Sequence, residues 1–261
     1  MTAGRVMAVL PDLTDSFLES AEALRAKGCT NRKVGLCLGP GFESLTTAVE
    51  ADVELDAFIC GRLGGIEVLA WTSGPLSSQG AARSLGQGVR VLRELGGQSL
   101  LALEHSRCLN PAWPDGGLAL VTDHLNLLGD NPLIGPDVEE HGVRFPDMTE
   151  VYSVNAREAA RAEALERGIV LREGVYAGVL GAPQLTAAEV HMLRLLGADV
   201  AGSAIIPLAI TARHAGLTVA ALVSSQSSPS PDGGAGAAAL EVAALEAAAD
   251  LLPSLAQILA A

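Results

Sequence analysis

Residues 170–223, VLREGVYAGVLGAPQLTAAEVHMLRLLGADVAGSAIIPLAITARHAGLTVAALV, decide the fold because strand and helix signals alternate along them. Val175 to Leu180 is a short β-rich run that must turn at the Gly-Ala-Pro after it. Asp199 to Ala204 is a second short strand. Thr218 to Val223 is a continuous apolar run, the kind that is buried on both faces of a sheet. Three strands are therefore predicted, separated by two segments with helical spacing.

The two intervening segments carry helix signals at their ends. Thr186 and Glu189 form the pattern of a capping box, and Gly197 is placed to end that helix. The second helix is predicted over Ile206–Ala215, with Pro207 in its first turn, where a missing N–H costs nothing. Strands that alternate with helices predict an α/β fold with a largely parallel sheet. In such sheets ligands bind beyond the carboxyl ends of the strands.

Composition limits the classes of protein to which the chain can belong. Its 261 residues are enough for one large α/β domain, and no linker-like segment precedes residue 224, so a single domain over 1–261 is predicted. The formal net charge of −13 disfavours binding to nucleic acid or to an anionic membrane. Gly, Pro or charge breaks the apolar windows and no signal peptide follows Met1, so no membrane span is expected.

Two further features are expected to be structural. The Ser/Pro/Gly-rich segment 224–238 is predicted to be a flexible loop beside the site. The four cysteines lack the spacing of metal ligands, so no metal site is expected, and reduced thiols of a cytosolic protein are predicted instead. They are Cys29, Cys37, Cys60 and Cys108.

Three segments carry a family resemblance. Residues 174–217, 121–136 (VTDHLNLLGDNPLIGP) and 144–148 (RFPDM) together resemble the trimeric purine nucleoside phosphorylases. The resemblance implies a single-domain nucleoside-phosphorylase-like fold, with a central mixed, largely parallel sheet that is partly closed into a barrel and flanked by helices. It also implies a cytoplasmic homotrimer that transfers ribose from a purine nucleoside to phosphate without a cofactor.

The positions that bind phosphate in this family are changed in this chain. A strand predicted at Lys33–Leu38 runs into Gly39-Pro40-Gly41, where the family has Gly-Ser-Gly and its serine hydroxyl holds phosphate. Pro40 has neither a hydroxyl nor an N–H. The family's phosphate-clamping arginine and histidine fall near Ser73 and Pro75, and no Arg or His occurs in residues 67–82. The resemblance therefore implies that the phosphate motif is lost.

The residues that contact the nucleoside are also changed. The family's aromatic residue and base-reading glutamate fall at Gln184 and Leu185, and leucine cannot accept a hydrogen bond from a purine N–H. A buried donor without a partner costs about 1–3 kcal/mol, so a purine in the usual pose is expected to bind poorly. By resemblance, Ser203 and Ala204 occupy the positions of a Met-Ser pair in the family. Gln226 and Ser227 replace the Thr-Asn whose asparagine steadies the leaving purine.

Two matching motifs are expected to keep family roles. Asp123–Asn126 resembles the family's Asp-His-Ile-Asn and is predicted to be structural. Phe145 occupies the position of a phenylalanine that, in relatives, reaches into the site of the neighbouring subunit and packs on ribose. Phe145 is therefore a candidate contact between subunits, either with substrate or as an interface anchor, and both roles imply a trimer.

The segment Glu104-His105-Ser106-Arg107 follows a strand predicted at Ser99–Leu103. The family has small residues here. A carboxylate, an imidazole and a guanidinium at the carboxyl end of a strand could serve as acid, base and anion holder, so Glu104, His105 and Arg107 are candidate catalytic residues. The alternative is a Glu–Arg pair that fills an inactive pocket, or an ordinary surface segment.

Three functional hypotheses follow from these replacements. The main hypothesis is a family member that cannot carry out standard phosphorolysis of purine nucleosides, a pseudoenzyme or binding trimer. The first alternative is an active purine nucleoside phosphorylase, which transfers ribose from a 6-oxopurine nucleoside to phosphate. The second is an enzyme with an altered substrate and a pocket rebuilt around Glu104–Arg107. The expected partners are the chain itself and, for an enzyme, nucleoside and phosphate.

Overall fold

The computed structural model describes residues 13–74, 81–113, 116–135, 141–180, 185–226 and 235–261. The α-helices are α1 (Leu13–Ala26), α2 (Ala82–Leu85), α3 (Gln87–Glu94), α4 (Val154–Glu166), α5 (Ala187–Leu195), α6 (Ile205–His214) and α7 (Ala235–Ala260), with a 3-10 helix at Glu43–Ala48. The strands are β1 (Val34–Leu38), β2 (Glu50–Leu55), β3 (Phe58–Leu63), β4 (Ile66–Thr72), β5 (Ser99–Cys108), β6 (Gly117–Asn126), β7 (Leu171–Gly178), β8 (Val200–Gly202) and β9 (Thr218–Gln226).

The nine strands form one mixed sheet in the order β2-β3-β4-β1-β5-β8-β7-β6-β9. β9 also pairs in parallel with β5, from Ser99 opposite Thr218 to Arg107 opposite Gln226. The strands β5, β8, β7, β6 and β9 therefore close into a five-stranded barrel, while β2 remains at an open edge. Five of the nine strand pairings are parallel and four are antiparallel. The predicted α/β fold, with its mixed and partly closed sheet, is confirmed.

Successive side chains of a strand point to opposite faces of the sheet, so the buried residues of one strand belong to two hydrophobic cores. In β5, Leu100 and Ala102 belong to the core that contains residues of α1, α3 and α6. Leu101 and Leu103 belong to the core that contains residues of α4 and α7. Each buried leucine contributes about 1.5–3 kcal/mol relative to an exposed one. Both faces of the central strands are covered, which explains their continuous apolar sequence.

The predicted caps are present at the ends of α5. The Thr186 side chain accepts from the backbone N–H of Glu189, and the Glu189 carboxylate accepts from the backbone N–H of Thr186 at 2.7 Å. Gly197 follows with φ of +93°, a conformation that favours glycine at a helix end. These local signals fix where the helix begins and ends.

The sequence did not predict the hairpin of β2 and β3, which follows β1 and precedes β4 in the chain. β2 and β3 pair in antiparallel fashion, with Leu55 opposite Phe58, so Asp56 and Ala57 make a two-residue turn. Asp56 has φ of +51°, which Asp tolerates better than most residues. The hairpin is half exposed, and its many charged residues hide the alternation that marks a strand.

The helical segment before β5 is divided at Gly86 into α2 and α3, and a Cβ on Gly86 would lie 2.5 Å from the Thr211 side chain of α6. One predicted segment has the wrong bounds. The loop expected at 224–238 is shorter, because β9 runs to Gln226 and α7 begins at Ala235. The centre of that loop, 227–234, lies outside the described residues.

The expectation of four reduced thiols is also wrong. Cys29, just after α1, and Cys60, in β3, form a disulfide with their Cα atoms 6.0 Å apart. Next to it the buried Arg32 forms ion pairs with Asp52 and Glu67 and donates to the backbone carbonyl of Gly61 at 3.2 Å. The hairpin is therefore fastened to the chain before β1 by one covalent and several polar links.

α7 is a single 26-residue helix that continues through Pro253. Over Val242–Ala260 it is long and apolar enough to match a membrane span by length and composition, with mean hydropathy of 1.4. The buried residues of this segment, among them Leu251 and Leu255, pack in the core beneath the sheet. A helix that covers a sheet meets the same criteria of length and composition.

Candidate functional site

Glu104 lies at the centre of the candidate site, where β5, β7, β8 and α6 meet. Its side chain is 3% exposed. One carboxylate oxygen accepts from the Tyr176 hydroxyl at 2.6 Å, and the other accepts from the backbone N–H of Ser203 at 3.0 Å. The backbone N–H of Ala204, at the start of α6, lies 3.3 Å from both oxygens. The carboxylate therefore occupies the donors that an anionic ligand would use at a helix N-terminus.

Burial and hydrogen bonding act on Glu104 in opposite directions. Burial raises the pKa of its carboxyl above the usual value, and donation from Tyr176 and from the backbone at Ser203 and Ala204 opposes that rise. Gly202 allows the close approach, because a Cβ there would lie 2.5 Å from the Tyr176 hydroxyl and 2.8 Å from a Glu104 oxygen. The backbone and side chains around Glu104 therefore pack closely on this carboxylate.

His105 lies on the opposite side of β5, since side chains alternate along a strand. Its ring packs on Phe42, with centroids 4.7 Å apart, and its Nδ1 contacts the Ser224 hydroxyl on β9. Gly41 has φ of +86°, and a Cβ at that position would overlap the imidazole. His105 therefore covers the glycine loop that follows β1.

The loop Gly39-Pro40-Gly41 uses its polar groups within the chain. The N–H of Gly39 donates to the carbonyl of Leu103 at 2.7 Å, and the carbonyl of Pro40 accepts from His105 at 2.9 Å. The N–H of Gly41 donates to the carboxylate of Glu43 at 2.8 Å. Among these three residues, no backbone N–H is left for an anion.

The proposed pairing of Glu104 with Arg107 is not present. The partners of Glu104 are Tyr176 and the backbone before α6. Arg107 shares its side of β5 with His105, opposite to Glu104, because side chains alternate along a strand. β5 extends to Cys108, so the segment predicted to follow a strand lies inside one. The structure thus separates the three candidate catalytic residues into Glu104 on one face and His105 with Arg107 on the other.

Ser73 has a structural partner. It is 9% exposed, its N–H donates to the carbonyl of Leu38 at 3.1 Å, and its hydroxyl accepts from the Cys37 thiol at 3.4 Å. Pro75, the second position of the expected phosphate clamp, lies outside the described residues. The part of this clamp that the structure describes therefore carries no positive charge.

The residues expected to contact a nucleoside have different positions. Leu185 packs against an apolar cluster that includes Leu109 and Leu193. Ser203 donates its backbone N–H to Glu104, and Gln226 is the last residue of β9, opposite Arg107. The other two expected contacts, Gln184 and Ser227, lie outside the described residues.

Phe145 lies in a cleft of about 490 Å³, with Arg144, His124 and Ile210 among its lining residues. Its side chain is 89% exposed, and the Arg144 guanidinium lies 6.0 Å from its ring centre. His124 Nδ1 lies 3.0 Å from the Tyr152 hydroxyl, and burial lowers the pKa of His124. Glu104 is not among the described residues that line this cleft.

No group of three or more His, Cys, Asp and Glu side chains within the described ranges is arranged to hold a metal ion. His124 has Tyr152 as its partner, and its neighbour Asp123 accepts from the His124 backbone N–H at 2.8 Å. These contacts agree with the structural role predicted for Asp123–Asn126.

Comparison with known proteins shows the family to which the chain belongs. The chain matches the family model described as the phosphorylase superfamily over residues 43–260. A purine nucleoside phosphorylase 1 of Geobacillus stearothermophilus is 32% identical over 219 residues, which cover 77% of this chain and 80% of that protein. A purine nucleoside phosphorylase of Bos taurus is 42% identical over 137 residues, which cover 50% of this chain and 47% of that one. The chain belongs to the purine nucleoside phosphorylase family.

The fold agrees with a solved structure. The crystal structure of Schistosoma mansoni purine nucleoside phosphorylase in complex with adenosine matches with a TM-score of 0.80 and 24% sequence identity. The match covers 94% of this chain and 96% of that one. At this identity the likeness supports the fold alone.

Two residues of the site were missed at the level of sequence. Tyr176 was included in a strand without a role, yet its hydroxyl holds Glu104. Glu43 was given no role, yet its carboxylate accepts from the backbone N–H of Gly41. The proximity of an acidic residue to a glycine turn was a usable signal for Glu43, whereas the contact of Tyr176 with Glu104 joins residues 72 positions apart.

Proposed function

We propose that this chain is a purine nucleoside phosphorylase family protein that cannot carry out standard phosphorolysis of purine nucleosides. It keeps the fold as a binding protein, a pseudoenzyme. The observation that carries the proposal is the buried carboxylate of Glu104 at the N-terminus of α6, held by Tyr176 and two backbone N–H groups. Because the chain's own anion occupies these donors, a second anion there would meet repulsion at low dielectric.

Three other positions support the same conclusion. Pro40 brings neither a hydroxyl nor an N–H to the glycine loop, and Glu43 already accepts from Gly41. Leu185 packs in an apolar cluster and cannot accept from a purine N–H. In sites that act by electrostatic stabilisation, the loss of one donor lowers kcat by about 10²–10³. Combined losses therefore leave a rate far below that of an active phosphorylase.

Turnover is the test of this proposal. The purified chain at high concentration is incubated with inosine or guanosine and phosphate, and release of the free base is followed. We expect no phosphate-dependent release above the uncatalysed rate. Turnover at a rate typical of enzymes, about 1 s⁻¹ or faster, would overturn the proposal. The Glu104→Gln variant is assayed in parallel, because activity that appears only in this variant would identify Glu104 as the inhibiting group.

The second candidate function is an active phosphorylase or an enzyme with an altered substrate. The observation that favours it is the position of His105, whose imidazole lies over Gly41 and contacts Ser224. A protonated imidazole there would supply positive charge beside the glycine loop. If the chain turns over a nucleoside, the His105→Ala variant is expected to lose that activity. A normal rate in this variant would exclude His105 as the anion holder.

We further propose that the chain forms a homotrimer through the surface around Phe145. Phe145, Val143 and Ile134 are exposed by 89%, 63% and 64%, which is unusual for apolar side chains that lie so close in sequence. Light scattering on the purified chain is expected to give three times the chain mass of 26.7 kDa. The Phe145→Ala variant is expected to shift toward monomer, whereas Leu165→Ala, at a residue exposed by 80% on α4, is the matched control. A monomeric wild type would overturn the proposal.

The proposed location is the cytoplasm, as the family resemblance implies. Disulfides are rare in cytosolic proteins, so the Cys29–Cys60 disulfide weighs against this location and makes it the point to test. We expect cell fractionation to recover the chain with cytosolic marker proteins, and recovery with secreted proteins would contradict a cytoplasmic location.

A further inference from the structure

Another cleft lies between α1, α3 and the end of α6. It has a volume of about 290 Å³ and is lined by Phe17, Arg90, Arg93, Glu94, His141 and Ala215. None of these residues is a hydrogen-bond partner of Glu104 or of Gly39–Gly41, and none is a candidate from the sequence. The cleft is therefore a separate feature.

Positive charge dominates this cleft although the whole chain carries −13. The half-buried Arg90 guanidinium lies 5.9 Å from the centre of the Phe17 ring, and Arg93 is exposed at the rim. The one carboxylate in the lining, on Glu94, already pairs with Arg25 at 3.2 Å. Across the described ranges, neither Arg90 nor Arg93 forms an ion pair with a carboxylate.

Arg90 is the group that points to a ligand. Burial lowers the pKa of its guanidinium, and the positive charge of Arg83 lowers it further. Partly buried charges in proteins are usually paired, because their desolvation is otherwise not offset. A cation–π contact at a partly exposed site contributes only about 0.5–1 kcal/mol. An anion between Arg90 and Arg93 would supply the missing counter-charge.

We propose that this cleft binds a phosphate group, either as inorganic phosphate or as a small phosphate monoester. Arginine matches the geometry of phosphate through paired N–H donors, and Arg90 and Arg93 both line the cleft. His141 also lines the cleft, and its ring meets that of Phe17 edge-on at 5.0 Å. A water molecule occupies about 30 Å³ in the liquid, so the cleft has room for a phosphate with a small organic group attached.

The site differs from the phosphate motif discussed for the family. That motif falls at Pro40, Ser73 and Pro75. Pro40 and Ser73 lie in the part of the chain that the structure describes, and neither lines this cleft. Binding here therefore does not depend on phosphorolysis, and the two proposals can fail separately. A chain without turnover that still binds phosphate through Arg90 fulfils both proposals.

Calorimetry with inorganic phosphate, and then with phenyl phosphate, tests the site in the full chain. The Arg90→Met variant keeps an unbranched apolar side chain against Phe17 and removes the charge. Arg62→Gln, an exposed arginine in β3, is the matched control. We expect saturable binding by wild type and by Arg62→Gln, at least about tenfold weaker binding by Arg90→Met, and weaker binding at high salt.

Thermal unfolding gives an independent measurement and shows that the variant is folded. We expect phosphate to raise the Tm of wild type and of Arg62→Gln but not of Arg90→Met, whose Tm without ligand should stay close to that of wild type. Tighter binding of phenyl phosphate than of phosphate would identify a monoester as the ligand class, and the reverse would identify the free ion. Absence of saturable binding, or equal binding by Arg90→Met and wild type, would overturn the proposal.

Discussion

The two ends of the sheet are stabilised in different ways. At the closed end, β5 to β9 form a barrel without a free edge, and the buried Glu104 is held by Tyr176 and backbone N–H groups. At the open end, the β2–β3 hairpin is half exposed and is fastened by the Cys29–Cys60 disulfide and by Arg32. The closed end thus depends on burial and hydrogen bonds, whereas the open end depends on links that a reductant or a charge change can remove.

The largest effect is expected at the closed end. The Glu104→Ala variant removes the acceptor of the Tyr176 hydroxyl and of the backbone N–H at Ser203, so buried donors are left unpaired. We expect a loss of about 3–5 kcal/mol in the free energy of unfolding, measured by urea denaturation. Tyr176→Phe removes one donor but leaves Glu104 with its backbone partners, and should cost about 1–2 kcal/mol. Equal losses in the two variants would contradict this account.

The open end should respond to a reductant. Opening the disulfide between Cys29 and Cys60, which are 31 residues apart, is expected to cost about 3 kcal/mol, because the unfolded chain regains freedom. The measurement is the Tm of the oxidised chain with and without dithiothreitol. The double variant Cys29→Ala/Cys60→Ala is the control, since its Tm should not change with the reductant. An unchanged Tm of the wild type would show that the disulfide does not stabilise the open end.

A smaller effect is expected for the cap of α5, which depends on neither end of the sheet. Thr186→Ala removes the side-chain acceptor at the start of the helix and should cost about 1 kcal/mol. In the double variant with Glu189→Ala, the two losses should not add, because both residues belong to one capping box. Additive losses measured by chemical denaturation would rule out the reciprocal contacts.

The smallest expected effect is a dependence on pH of the difference in Tm between wild type and a Glu104 variant. Burial raises the pKa of Glu104 above its usual value of 4.5, so the folded chain holds this proton to higher pH than the unfolded chain. The resulting stabilisation is fully present below pH 4.5 and is lost as the pH rises through the folded pKa. The Tm of wild type minus that of Glu104→Gln is therefore expected to fall as the pH rises. A constant difference would show that the pKa is not raised.

Much of the fold could be predicted because its signals are local. The capping box at Thr186, the glycine at 197 and the apolar run of β9 each lie within a few residues of the feature they determine. The segments that resemble the family lie in the same part of the chain. The hairpin Glu50–Leu63 was missed because its charged residues hide the alternation of a half-exposed strand.

The site could be predicted only in part, because its contacts join distant residues. The sequence indicated Glu104, His105 and Arg107 as a group, but strand alternation places Glu104 on the opposite face from the other two. Their interpretation as a loop assumed that polar residues end a strand. Inside a closed barrel, buried polar residues continue the strand when partners such as Tyr176 satisfy them. The spacing of cysteines likewise gives no information about which two meet.

The buried thiol of Cys37 allows local opening of the chain to be measured by chemical labelling. Its thiol donates to the Ser73 hydroxyl, and burial raises its pKa to about 12, so hardly any reactive thiolate exists at neutral pH. Cys108 is buried as well, and Cys29 and Cys60 are joined. A maleimide dye can therefore label the native oxidised chain only when β1 or the end of β5 separates from its neighbours. The labelling rate therefore measures how often these strands separate from their neighbours, and no engineered probe is needed.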